Sequence, residues 1–324
     1  MKQPNRKWVM VLAVIYNILH LVIFTIQIHC YSTNSKNKSL QVQMGIVLNM
    51  GQLITWWLVR FRRKDFLTLV EEVFSLRKDL SCVIYRRLLK ISRVVCLCAI
   101  LLIVWDPLLR IINEIKYNYK YSDCMLTLTP SGIGDWKLIP IASYIFSSTH
   151  VSNSLIYTIA LFYILFCYSL SACLDAPFRH QNDIHEVYEK VLDIFKKTEE
   201  KISFFVLLLF AYIFYSFFKY LFVIIYLGKT YKVPIPLFII FNFVANIILI
   251  IVIILSAHQA QQKTEDLRIS LLADDTTLKR RLVKILEDQR YLKLTGWGIF
   301  TIQKSLLLSS AAWFFTYVSI LVQS

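Results

Sequence analysis

Seven blocks of apolar residues, most of them about 20 residues long or longer, constrain this chain more than any other feature of its sequence. They run from Trp8 to Cys30, Gln41 to Leu58, Val94 to Ile115, Leu138 to Leu174, Ile202 to Leu227, Val233 to Ser256 and Gly296 to Gln323. A helix rises about 1.5 Å per residue, so about 20 residues cross the roughly 30 Å of hydrocarbon in a bilayer. Apolar residues make up 57% of the 324 and charged residues 18%, against about 25% charged in soluble domains. One water-soluble core cannot hide that much apolar surface, whereas lipid solvates it. The blocks therefore predict an all-α membrane protein with seven transmembrane helices. The fourth exceeds the length a crossing requires, so its helix is expected to run on into the cytoplasm. In the second, Gln43, Asn49 and Gln52 interrupt the run. The first follows Lys2, Arg6 and Lys7 like a secretory signal, but it is longer than a cleaved apolar region and no small-x-small site closes it. It reads as a retained span.

Charge sets the direction of threading. Lys and Arg resist transfer to the outer face, so short loops rich in them stay in the cytoplasm. Segments 1–7, 60–93, 175–201 and 257–294 carry 26 Lys and Arg, whereas 31–40, 116–138 and 228–233 carry 7. The N-terminus is thus expected in the cytoplasm and the C-terminus outside the cell. The net charge of +15 belongs to the same asymmetry. Clusters such as Arg60, Arg62, Arg63, Lys64 and Arg86, Arg87, Lys90 sit beside spans, where anionic lipid of the inner leaflet is a better partner than nucleic acid. Asn37-Lys38-Ser39 in the first outer loop is a glycosylation sequon at Asn37.

Enzyme signatures are missing. Of the seven cysteines, only Cys30 and Cys124 fall near the oxidising side, which allows at most one disulfide. Cys96 and Cys98 are two apart on a helix, so their side chains diverge by about 100° and make a poor metal pair. The six histidines have no ligand spacing, and no phosphate loop, dinucleotide turn or Gly-x-Ser-x-Gly elbow occurs. No enzyme, cofactor or metal is expected.

The last block carries the pattern richest in functional content. Ser305, Ser309, Ala312, Thr316, Ser319 and Gln323 recur at intervals of 4, 3, 4, 3 and 4, which places them on one helical face. Such a face avoids lipid in one of two ways. Either it packs in a seam between helices, or copies of it surround a water-filled path. Hydroxyl and amide oxygens without fixed charge would pass cations with little discrimination. Before this block, Leu278, Leu282, Ile285 and Leu292 form an apolar stripe among basic residues, preceded by the start signals Asp274, Asp275 and Thr276. This predicts a cytoplasmic amphipathic helix over Thr276 to Leu294, joined to the last block through Gly296 and Gly298.

Charges inside spans are costly and point to function unless they are neutralised. Asp106 and Arg110 lie one turn apart in the third block, and Lys219 lies in the fifth. Either the pair neutralises itself and Lys219 reaches the headgroups, or the three line a ligand pocket with Trp105, Tyr144, Tyr212 and Tyr215. The fifth block carries eleven aromatic residues between Phe204 and Tyr226, enough to wall a pocket for a small molecule.

Thr316-Tyr317, the mainly apolar Val318 to Val322, and Gln323 resemble the Thr-Tyr-(five apolar)-Gln-Phe signature of insect gustatory receptors. Ser324 stands where that family has Phe, and Ser319 interrupts the apolar run. The resemblance implies a chemosensory, ligand-gated, non-selective cation channel in the plasma membrane, assembled as a homotetramer or as a heterotetramer with other gustatory receptors. It implies a tastant pocket in the outer half of the first six helices and a pore lined by the seventh. The single membrane domain then divides into a cytoplasmic tail (1–7), helices one to six with loops (8–256), a cytoplasmic linker and anchor helix (257–295) and the pore helix (296–324). The family's gate maps onto Gln323 and Ser324, with Ile320 as a further candidate seal. Val318 replaces the acidic residue that commonly follows Thr-Tyr in sugar-sensing members, which favours a non-sugar, bitter ligand. A transporter would show internal repeats and broken spans, and a G-protein-coupled receptor would be threaded the opposite way.

Overall fold

A computed structural model of the chain describes residues 50–51, 54–75, 82–116, 138–175, 181–226, 237–273 and 293–323, with Val14, Ile15, Ile18, Leu21, Val22, Thr25 and Ile26 of the first block. Almost all of these residues are helical. After a helical run at 54–61 come α1 (Arg63–Ser75), α2 (Cys82–Lys116), α3 (Leu138–Asp175), α4 (Gln181–Lys201), α5 (Ser203–Tyr226) and α6 (Leu237–Ala273). Two short strands, β1 (Thr295–Gly296) and β2 (Phe300–Thr301), precede α7 (Lys304–Gln323).

With 35, 38 and 37 residues, α2, α3 and α6 are each over 50 Å long at about 1.5 Å per residue, well beyond a hydrocarbon layer of about 30 Å. Among the described residues, three segments are long and apolar enough to cross a membrane: Leu155–Asp175, Ser203–Ile225 and Leu237–Ser270. On α2, the exposed Val94, Leu97, Leu101, Val104, Leu108 and Ile112 recur every three or four residues and make one apolar stripe. A stripe of that length would be a liability in water and is unremarkable against lipid.

The chain divides into two compact units. One comprises Met1–Leu58, Ile100–Tyr157 and Pro236–Phe241; the other comprises Val59–Ala99, Thr158–Ile235 and Asn242–Ser324. In the first, Asp106, Pro107 and Leu109 turn inward from α2 and Leu155, Ile156 and Tyr157 from α3. In the second, Tyr163, Cys167 and Leu170 of α3, Tyr188, Val191 and Phe195 of α4, Phe205, Leu209 and Ile213 of α5, and Ile253 and Ala257 of α6 are all buried. Phe66 of α1 meets Phe162 edge-on at 4.9 Å and Phe205 at 5.2 Å. Lys197 of α4 holds α1 through Glu72 at 2.8 Å, and Lys201 does so through Asp65 at 3.4 Å.

Three expectations need correction. Residues 60–93 and 175–201 are not simple loops, because they contain α1, the start of α2, and α4. These helices escape a search for long apolar runs since only one face of each is apolar: Val187, Tyr188, Val191, Ile194 and Phe195 point inward from α4. The sixth helix does not stop at Ser256 but continues to Ala273, burying Ala257, Ala260, Thr264 and Leu267. The seventh starts at Lys304 rather than Gly296, because the intervening residues fold as a hairpin that interrupts the helical regularity. Most of the amphipathic helix expected over Thr276 to Leu294 lies outside the described residues, as do Asn37, Cys30, Cys124 and Ser324, while Lys293 and Leu294 are not helical.

Candidate functional site

Helix α7 docks on its own chain by aromatic contacts along one side. Phe314 meets Phe217 of α5 at 4.9 Å and Phe243 of α6 at 6.4 Å, and Tyr317 meets Phe218 at 4.6 Å. Phe217 and Phe243 stack on each other at 4.8 Å, so the floor beneath α7 is itself a packed ring pair. Leu306 and Ser310 continue this half-buried side. The opposite side is the polar stripe: Ser305, Ser309, Ala312, Thr316, Ser319 and Gln323 are all exposed. Taking about 100° per residue, the centre of the stripe lies roughly 160° around the helix from the docked face. Large exposed side chains flank it, Leu308 and Phe315 on one edge and Trp313 (73% exposed) and Ile320 on the other.

Three of the hydroxyls on the stripe are already committed as donors. Ser309 Oγ donates to Ser305 O at 3.2 Å, Thr316 Oγ1 to Ala312 O at 3.0 Å and Ser319 Oγ to Phe315 O at 2.8 Å. With each proton engaged, what remains on the oxygen is acceptor capacity. The stripe therefore offers lone pairs, which suit water and cations. The Thr316-Tyr317 pair splits between faces: Thr316 joins the stripe and Tyr317 docks on α5. Gln323, seven residues after Thr316, returns to the stripe.

A clamped hairpin leads into α7. Trp297 and Gly298 have φ of 52° and 71°, and Ile299 N donates to Gly296 O at 3.0 Å, which gives the positive-φ turn that suits a tight hairpin. At Gly296 a Cβ would lie 2.4 Å from the ring of Phe300. That ring is held edge-on against Phe210 of α5 at 5.2 Å, and Trp297 packs edge-on to Phe204 at 5.3 Å. Glu199, in the last turn of α4, accepts from Thr295 N at 3.3 Å and from the Thr295 hydroxyl, which itself accepts from Gly298 N at 2.7 Å. On the other side, buried Gln261 of α6 donates to Ile302 O at 2.8 Å. Three helices thus grip the segment that positions α7. Sequence reasoning placed a joint at Gly296 and Gly298 but missed Glu199, Thr295 and Gln261, whose roles depend on partners 41 or 96 residues away.

Of the residues expected to bind ligand, Trp105, Asp106 and Arg110 belong to the first unit, and Tyr212, Tyr215 and Lys219 to the second. Asp106 is 1% exposed and accepts from Arg110 Nε at 3.3 Å, while the Arg110 guanidinium lies 5.4 Å from the centre of the Phe238 ring. The i, i+4 pair thus neutralises itself inside the first unit. Trp105, at 45% exposed, turns outward with Val104 and Leu108, away from Asp106, because adjacent helix positions diverge by about 100°. Half-buried Tyr212 and Tyr215 and exposed Lys219 share one face of α5 in the second unit, with Lys219 Nζ 6.0 Å from the Tyr220 ring centre. The side chain of Tyr144 is outside the described set. Among the described residues, no group of His, Cys, Asp and Glu has metal-holding geometry, and the buried Cys167 and Cys173 are not joined in a disulfide.

Comparison with solved structures places this arrangement in a known fold. The chain shares the fold of an insect olfactory receptor. Against the insect olfactory receptor OR5 from Machilis hrabei the TM-score is 0.69 at 12% identity, covering 100% of this chain and 93% of that one. Against OR5 in complex with eugenol it is 0.67 at 14% identity, covering 100% and 92%. No protein-family model and no curated protein sequence matches.

Proposed function

We propose that this chain is a subunit of a ligand-gated, non-selective cation channel of the gustatory type, set in the plasma membrane with seven spans, a cytoplasmic N-terminus and an extracellular C-terminus. The observation that carries the proposal is the orientation of α7. Its docked side faces α5 and α6, and its acceptor-rich stripe, bearing Thr316 and Gln323 of the terminal signature, faces outward. Four copies around an axis would bring four such stripes together and remove them from lipid, as closed symmetry allows. Oxygens without fixed charge would replace part of a cation's hydration while selecting poorly among cations. The resemblance in fold to a receptor whose structure is also known with eugenol supports a small organic ligand. Val318 after Thr316-Tyr317 favours a non-sugar tastant.

Gating follows from the contacts of α7. A ligand that binds better to the open state shifts the population toward it. The Tyr212, Tyr215 and Lys219 face of α5 is the surface proposed to sense it. Displacement of α5 or α6 reaches α7 through Phe217, Phe218 and Phe243, and through the hairpin gripped by Glu199 and Gln261. Ile320 and Gln323 form the proposed narrow part of the path. The test is whole-cell current from cells expressing the chain while sugars and bitter compounds are applied, combined with single cysteines along α7. Current reversing near zero millivolts, with Cys at 309, 316 and 323 reacting with a water-soluble thiol reagent during stimulation, is expected. Saturable uptake without current would replace the channel by a carrier.

A further inference from the structure

Where the helical run at 54–61 meets α1, exposed apolar surface gives way abruptly to exposed positive charge. Ile54, Trp57 and Phe61 are all exposed, Phe61 at 77%, and their spacing of three and four residues aligns them on one face. The chain turns at Arg62 and re-enters helix at Arg63. Arg60, Arg62, Arg63 and Lys64 are all exposed, giving four cations in five residues.

Two acids close in sequence to Arg62, Arg63 and Lys64 are engaged elsewhere. Asp65 pairs with Lys201 at 3.4 Å and Glu72 with Lys197 at 2.8 Å, both from α4. Among the described residues, Arg62, Arg63 and Lys64 have no carboxylate within ion-pair distance. The ion pairs that fix α1 on α4 therefore also leave its N-terminal end with uncompensated positive charge. Lipid apposed to this elbow meets an apolar stripe ending in a phenyl ring and then a dense cationic cluster. That sequence matches an acyl chain followed by an anionic headgroup, and matches neither a neutral zwitterionic lipid nor a purely aqueous anion.

We infer that residues 60–64 form a binding site for an anionic phospholipid, with Phe61 against the acyl chains and Arg62, Arg63 and Lys64 on the headgroup phosphate. Each juxtamembrane cation contributes about fivefold in affinity for anionic lipid, so three act together at about a hundredfold. The site stands apart from the channel reading, since it needs only these exposed residues and a membrane. Its assignment to the inner leaflet rests on the proposed threading.

The full chain in nanodiscs of phosphatidylcholine, doped with phosphatidylserine or with phosphatidylinositol 4,5-bisphosphate, tests this by native mass spectrometry of retained lipid. Retention of the doped lipid is expected, falling about a hundredfold in a triple Arg62→Gln, Arg63→Gln, Lys64→Gln variant. A matched triple, Lys190→Gln, Lys196→Gln, Lys293→Gln, removes equal charge elsewhere and should retain lipid, with thermal melting confirming that both variants are folded. Equal loss in both triples, unchanged retention in the first, or displacement of the lipid by soluble inositol trisphosphate at equal concentration would overturn the assignment. If the first triple does not fold, Phe61→Ser alone must lower retention for the inference to survive.

Discussion

Helices α5 and α7, of 24 and 20 residues, are both rich in aromatic side chains, yet they are used in opposite ways. Phe205, Val206, Leu209, Phe210, Ile213 and Phe217 of α5 are all buried, whereas α7 has no buried position among its described residues and touches its own chain along one side only. In a bilayer the hydrophobic effect does not distinguish these situations, because lipid is as apolar as a leucine side chain. What distinguishes them is packing. α5 is held by interlocking rings on several sides, and α7 by one aromatic edge and a gripped hairpin. The lesson is that, among the described residues, α5 is fixed from several sides, whereas α7 is fixed from one side and leaves its polar stripe exposed.

The largest effects should come from exchanging these roles. Phe210→Ala opens a cavity in the α5 core and removes the support of Phe300, and should cost about 3 kcal/mol or more. Trp313→Ala on α7 should change unfolding by no more than about 0.5 kcal/mol. Thermal unfolding in detergent compares them directly, and equal losses would erase the contrast between the helices. Next in size are changes at the joint. Gly296→Val drives a side chain into the Phe300 ring, and Glu199→Ala leaves Thr295 N and Oγ1 without their acceptor, each at about 1–3 kcal/mol. If the hairpin couples the bundle to α7, Glu199→Ala should also move agonist dose-response by roughly tenfold, with peak current as the check on surface expression.

Neighbouring positions on α7 sharpen the comparison further. Tyr317→Ala loses the ring contact with Phe218, worth about 1 kcal/mol, whereas Thr316→Val keeps shape and fold but removes an acceptor from the stripe. Lower single-channel conductance with unchanged melting is expected for Thr316→Val, and the reverse for Tyr317→Ala. The smallest effect concerns Lys197, whose ammonium is pushed above its ordinary value by hydrogen bonds to Asp193 and then Glu72. A raised folded-state value means the contribution is complete below the usual lysine value of 10.5 and disappears as pH rises beyond the folded one. Melting should therefore be flat in this respect from pH 6 to 9, and Lys197→Met should cost no more than about 0.5 kcal/mol.

Much of this contrast can be read from residue order alone. Helical crossing segments follow from apolar run length, and the alignment of Ser305, Ser309, Ala312, Thr316, Ser319 and Gln323 follows from a period of 3.6. The pairing of Asp106 with Arg110 is equally local. Other features escaped because their causes are not local. α4 hides its inward face among Lys and Glu, and the inward face of lower α6 uses Ala and Thr, which no hydropathy window weights heavily. Trp105 looks like a partner for Asp106 in one dimension, but the helix turns it about 100° away.

Residue order determines the medium of this protein and the face of its last helix that must avoid lipid, because both depend on composition and on a repeat within single segments. Only the tertiary structure decides that Phe314 and Tyr317 dock while Trp313 and Phe315 remain exposed, and that Glu199 and Gln261 hold the hairpin. All four α7 side chains are large and aromatic, so propensity cannot rank them. Their fates differ because Phe217, Phe218 and Phe243 present a shaped surface to one side of the helix and not to its flanks.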